Sequence, residues 1–170
     1  MLKSAQLYEG QLKKKVLECW YDERYKYYDC QPGNLKVDIP DNNVYTHIFV
    51  SVDEEDNIVG LINYSLDWVT MTAYQLGIIG FADNFKNRLL FAKDIIKAID
   101  DIFIKYNLNR LSWYVVEDNP VIKSYRKYIE KVGGKECGRF RQNVKLQDGK
   151  MHNEVSFEIL KEEYRGWDSK

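Results

Sequence analysis

The sequence predicts an α/β chain, with strands and helices interleaved in an α+β mixed sheet that is mostly antiparallel and flanked by helices. Three observations carry that reading. Short runs such as "YTHIFVSV", "IVGLINYSL" and "RLSWYVV" combine β-branched and aromatic residues and are bounded by turn residues. Two of the connections, "DEEDN" and "DGK", are short and polar, so the strands on either side form hairpins and run antiparallel. Between these runs, two segments place apolar residues at helical spacing instead.

Taken in order, residues 5–28 set Leu12, Val16, Trp20 and Tyr27 on one helical stripe and Lys13, Lys14, Glu18 and Arg24 elsewhere. This suggests one helix, or two broken near Asp22. "QPGN" and "IPDNN" stop the pattern, because proline lacks a donor and glycine loosens the backbone. The first hairpin follows, and then a third strand, "YQLGIIGFA" over 74–82, whose Gly77 and Gly80 mark a bulge or a close approach to the backbone. A strong helix is expected over 89–106, with Ala92, Ile95, Ile96, Ile99, Ile102, Phe103 and Tyr106 on its apolar stripe. After "RLSWYVV", Asn119 or Asp118 caps a helix whose first turn holds Pro120, and Gly133 and Gly134 end it. Val121, Ile122, Tyr125, Tyr128, Ile129 and Val132 form its apolar face. A last hairpin, "GRFRQNVKLQ" to "HNEVSFEIL", leads to a polar tail.

A chain of 170 residues with 45% apolar content can bury one substantial core, so a single domain over 1–170 is expected, with a helical segment at 1–40 and the core sheet and helices at 45–164. Twenty-five basic against 26 acidic side chains leave a net charge of -1, and nothing draws the chain as a whole to nucleic acid or to a membrane. Two local clusters, "KSYRK" and "GRFRQ", read as solvated faces or as weak phosphate contacts. The amino-terminal stretch has no apolar core of leader type, and no apolar run reaches membrane-spanning length, so a cytoplasmic protein is expected. Cys19, Cys30 and Cys137 fit no redox or zinc spacing, and His47 and His152 lie far apart, so no metal site is expected. The aromatic run from Trp20 to Tyr28 packs a core or lines a cleft.

From "YQLGIIGF" to the end, the order of elements and three motifs, "DNP", "EKVGG" and "EILKEEY", resemble the Gcn5-related N-acetyltransferase (GNAT) superfamily, in particular its members that modify terminal or small-molecule amines. The resemblance covers about residues 45–164, with its tight matches from Leu108 onward. It implies a GNAT-like acyl-CoA N-acyltransferase fold and transfer of an acetyl group from acetyl-coenzyme A to a primary amine without a metal. The acceptor amine is not named by the sequence, and a homodimer is kept among the expectations.

The resemblance also implies site residues. The pantetheine arm would lie along Ile79, Gly80 and Phe81, and the pyrophosphate at the start of the next helix, where unpaired N–H groups and the helix dipole favour anions. There the family has a glycine-rich loop, whereas this chain has "KNRLLFA". Lys86, Asn87, Arg88 and Leu89 fill the position: the two cations can meet phosphate, and Asn87 tolerates the left-handed backbone that a glycine would adopt. Asn119 closes the cleft from the other side. The family's tyrosine, which protonates the leaving thiolate, falls by count at Arg126 or Ile129; Tyr125 is one residue off and takes the role, with Tyr128 one turn on. Glu117 is the first carboxylate to consider as base and Asp67 the second. The alternative is a binding protein on the same fold that has lost the pyrophosphate loop and with it catalysis.

Overall fold

A computed structural model describes residues 1–20, 22–28, 39 and 42–167. Seven strands form one sheet: β1 (Leu2–Ser4), β2 (Thr46–Val52), β3 (Ile58–Asp67), β4 (Thr72–Gly80), β5 (Arg110–Val116), β6 (Gly134–Lys145) and β7 (Met151–Leu160). Their spatial order is β1-β2-β3-β4-β5-β7-β6, and every neighbouring pair is antiparallel except β4 and β5. The helices are α1 (Glu9–Cys19), α2 (Phe85–Asp100, continued by a π turn over Asp101–Lys105) and α3 (Ile122–Val132). The mixed, mostly antiparallel sheet with flanking helices is the fold expected from the sequence.

The larger core lies between one sheet face and α2 and α3. Ile62, Tyr64, Leu66, Leu111, Trp113 and Phe157 from the strands meet Ala98, Ile99, Ile102 and Val132 from the helices. A smaller core packs Leu12 of α1 against Val50, Val52 and Ile58 on the opposite face. Alternation along β2 produces both: Val50 faces α1, whereas Phe49 packs on the larger core. Buried apolar residues repeat along α2 because 3.6 residues per turn keep Phe91, Ala98, Ile99 and Ile102 on the sheet side. Among them sits the carboxylate of Asp94, which accepts a hydrogen bond of 2.6 Å from the Ser51 hydroxyl, so a buried polar pair is satisfied.

Several boundaries differ from the sequence reading. The three-residue β1 was not expected; it pairs with Phe49, Val50 and Ser51. The first helical segment breaks near Asp22 as one of its two alternatives had it, but it also starts as a 3-10 turn over Ala5–Tyr8, and Glu23–Tyr25 is another such turn. The expected helix over 89–106 starts at Phe85, because the Asn84 side chain accepts the Asn87 N–H at 2.8 Å and caps it four residues earlier. Gly133 ends α3 at φ +93°, the left-handed angle that glycine adopts without strain. A Cβ there would lie 2.0 Å from the Glu163 carbonyl oxygen. Cys30 and most of the stretch from 29 to 41 that carries the two predicted turns lie outside the described residues.

Candidate active site

The parallel pairing of β4 and β5 lasts for only two registers, Thr72 with Arg110 and Ala73 with Leu111. Beyond them the strands diverge. The opening is a cleft of about 950 Å³, walled by Leu76 to Gly80 of β4, Tyr114 to Val116 of β5, and the amino-terminal turns of α2 and α3. A β-bulge marks its apex: the β3–β4 register shifts between Asn63 and Ser65, and Gln75 takes φ +56°. Gly77 leaves room for the Asn63 side chain, whose oxygen lies 2.4 Å from where a Cβ would be.

Divergence strips β4 of a partner along one edge. The Phe81 N–H reaches the Val59 carbonyl at 2.9 Å, so backbone groups of Ile79 and Phe81 face β3, and those of Ile78 and Gly80 face the cleft. Two tyrosines from the amino-terminal segment meet this edge. The Tyr25 hydroxyl donates to the Gly80 carbonyl at 3.1 Å, and the Tyr28 hydroxyl donates to that of Ile78 at 3.0 Å. Thus the aromatic run does line a cleft, with Tyr27 and Tyr28 in its wall and Tyr25 packed on Phe81. Burial raises the Tyr25 phenol to about 12, so it remains a donor at any physiological pH.

At the start of α2 the four expected residues separate. Arg88 lines the cleft, and its Nε donates to the Ala82 carbonyl at 3.3 Å. Lys86 points the other way, to Glu54 at 2.7 Å; Leu89 is exposed. Asn87 is helical, not left-handed as expected, and its amide donates to Asp53 at 3.2 Å. Phe91 fills space that β3 leaves open: its ring lies 2.1 Å from where a Cβ on Gly60 would be, and 3.5 Å from that of Gly80. Across the cleft, Asn119 lines the wall while its side chain accepts the Val121 N–H at 3.0 Å, tightening the turn before α3.

Tyr125 stands in the cleft wall, edge-on to Trp113 with ring centroids 5.8 Å apart. Burial, with Tyr28 adding to it, pushes its phenol far above its ordinary value. Tyr128 faces away and stacks on Trp167 at 5.8 Å. Glu117 is held elsewhere: Arg139 grips both its oxygens at 2.6 and 2.8 Å, and Asn153 donates at 2.9 Å. These bonds lower its pKa, Arg139 foremost, which makes it a weaker base. Asp67 caps the β3–β4 turn through the Val69 and Thr70 N–H groups, away from the cleft. Among the described residues that line the cleft, the one carboxylate is Glu154 on β7. Sequence reasoning passed over it because, in an alternating strand, it reads as an ordinary solvated position.

Beside the cleft lies a smaller pocket of about 410 Å³ that shares Tyr27 with it. Glu23, Asp118 and Asp148 line it together with His152, whose ring nitrogens lie 3.0 Å from Asp148 and 3.5 Å from Asp118. His152 is thus part of a polar pocket, a setting that two histidines far apart in sequence did not suggest. In the two basic clusters, Arg126 pairs with Glu136 and Arg139 with Glu117. Among the described residues, no group of three or more His, Cys, Asp or Glu side chains is placed to hold a metal, and no helix is long and apolar enough to cross a membrane.

No protein-family model matches the chain, and no curated protein sequence matches it. Solved structures do match. A variant of the spermidine N-acetyltransferase SpeG from Vibrio cholerae superposes with a TM-score of 0.60 at 23% identity over 72% of this chain and 70% of that one. The spermidine/spermine N-acetyltransferase SpeG from the same organism, in complex with manganese ions, gives 0.58 at 23% identity over 70% and 67%. At this identity the likeness establishes a shared fold.

Proposed function

We propose that the chain is an acetyl-coenzyme A-dependent N-acetyltransferase acting on a primary amine. The observation that carries this is the divergence of β4 and β5 after two paired registers, which opens a cleft beside an unpaired strand edge and next to two helix amino termini. An extended amide-bearing arm fits such an edge through the cleft-facing N–H groups of Ile78 and Gly80, whose carbonyls are met by Tyr28 and Tyr25. On this reading the arm runs along Ile78, Gly80 and their neighbours Ile79 and Phe81. The pyrophosphate meets Arg88 and the first turn of α2, through a loop without the family's glycines, and Asn119 bounds the other side.

The amine nitrogen attacks the thioester carbonyl carbon, an amide bond forms and the carbon–sulfur bond breaks. The Tyr125 hydroxyl, which stands in the cleft wall, gives its proton to the departing thiolate. The proton lost by the amine passes to Glu154, directly or through water, since Glu117 is committed to Arg139. The acceptor enters past Tyr27, where Glu23, Asp118 and Asp148 attract an ammonium group. Spermidine, the acceptor named for the structural neighbours, is therefore the first amine to test.

Thiol release from acetyl-coenzyme A with spermidine and a panel of primary amines tests the reading. Amine-dependent release is expected, and Glu154→Gln should lower kcat with little change in the affinity for acetyl-coenzyme A. The second reading, a binding protein on this fold, is favoured by the Tyr25 and Tyr28 hydroxyls on the β4 edge. Cofactor binding without release for any amine would select it.

A further inference from the structure

We infer that the donor site accepts acyl groups longer than acetyl, with the chain lodged in an apolar cavity between α2 and α3; this rests on the function proposed above. The cavity has a volume of about 350 Å³ and adjoins the cleft, sharing with it Leu76, Ile78, Ile95, Val121, Ser124 and Tyr125. Tyr125, the residue proposed to meet the sulfur, is thus in the common wall, and an acyl chain leaving the thioester there passes directly between the helices. An acetyl group would fill the junction and leave the rest empty.

The far wall is built from Ala92, Ile96 and Ile99 of α2. From Ala92 to Ile99 the helix advances about 10 Å. An extended chain gains about 1.2 Å per bond, so that length accommodates roughly six to eight carbons. Trp113, Tyr128 and Trp167 complete the lining, with Ser124 and Lys127 as its polar members. A methylene chain that continues from a thioester at Tyr125 is the occupant favoured by the wall shared with the cleft.

The test is calorimetric titration of the full chain with coenzyme A and its acetyl, butanoyl, hexanoyl and octanoyl thioesters. Affinity should rise about twofold to fourfold per added methylene up to six to eight carbons. Ile96→Trp, which fills the cavity without touching the cleft, should abolish that rise and leave acetyl-coenzyme A binding unchanged. Should Ile96→Trp fail to melt cooperatively, Ala92→Phe serves the same purpose. Binding of acetyl-coenzyme A with flat or falling affinity along the series overturns the inference alone. Equal losses for all thioesters in a folded variant overturn it too, as does a dimer that forms with concentration and disappears on Ile96→Trp. Failure of every ligand, coenzyme A included, removes the functional reading and the inference together.

Discussion

At the scale of single residues, the site depends on matched large and small side chains. Phe91 occupies the volume that Gly60 leaves empty, so a methyl group at Gly60 must displace a buried ring. Gly60→Ala should cost about 1–3 kcal/mol in urea unfolding, and an unchanged midpoint would show that the ring is free to move. His47 offers a second test. It lies against Phe49, Tyr64 and Tyr106, and burial, then Lys105, holds its pKa below the ordinary value. The folded state therefore binds that proton less well than the unfolded chain does. Its contribution is complete above about pH 6.5 and is lost as pH falls toward the folded value. Stability should drop between pH 7.5 and 5.5, and His47→Phe should flatten that drop; an identical profile in the variant would contradict the assignment. Lys86 and Arg88 illustrate what a sequence hides: both read as phosphate ligands, yet two helical residues apart means about 200° around the axis. Only Arg88 lines the cleft, and which of the two does so depends on how α2 is rotated.

At the scale of elements, most of the sheet and helices were legible because period and punctuation agree. The final hairpin, the apolar face of α3 from Ile122 to Val132 and its glycine terminus follow from local pattern, whereas Val121, at the helix start, is exposed. Gly133→Ala should destabilise the chain by about 2 kcal/mol or more, since it adds a Cβ at positive φ against the Glu163 carbonyl. Loss within 0.5 kcal/mol in the same unfolding measurement would mean that the C-terminal stretch moves aside. What local pattern does not encode is how two strands meet. β4 and β5 look like ordinary neighbours in sequence, and only their two-register pairing opens the cleft. The start of α2 was missed for another reason: the cap, Asn84 on the Asn87 N–H, precedes the apolar stripe by more than a turn. The two tyrosines that donate to β4 add another prediction. Tyr28→Phe frees the Ile78 carbonyl, so if a pantetheine amide takes that place, acetyl-coenzyme A should bind about fivefold more tightly, one hydrogen bond's net worth. Weaker binding would instead make Tyr28 part of the ligand's own surroundings.

At the scale of the whole molecule, the fold was readable from motif order in the carboxyl-terminal half, and the solved structures agree with it. Chemistry was less readable, because it depends on side chains brought together from distant elements. Glu154 reaches the cleft from β7, Arg88 from α2 and Tyr125 from α3, whereas Glu117, the more conspicuous carboxylate in sequence, is drawn off by Arg139. Everything proposed for this chain requires that the gap between β4 and β5 receive a coenzyme A thioester. Thermal unfolding with and without acetyl-coenzyme A tests it most directly. At about 100 times its dissociation constant the ligand should add about 2.7 kcal/mol and raise the melting temperature by several degrees. An unchanged melting temperature at millimolar acetyl-coenzyme A would contradict the claim.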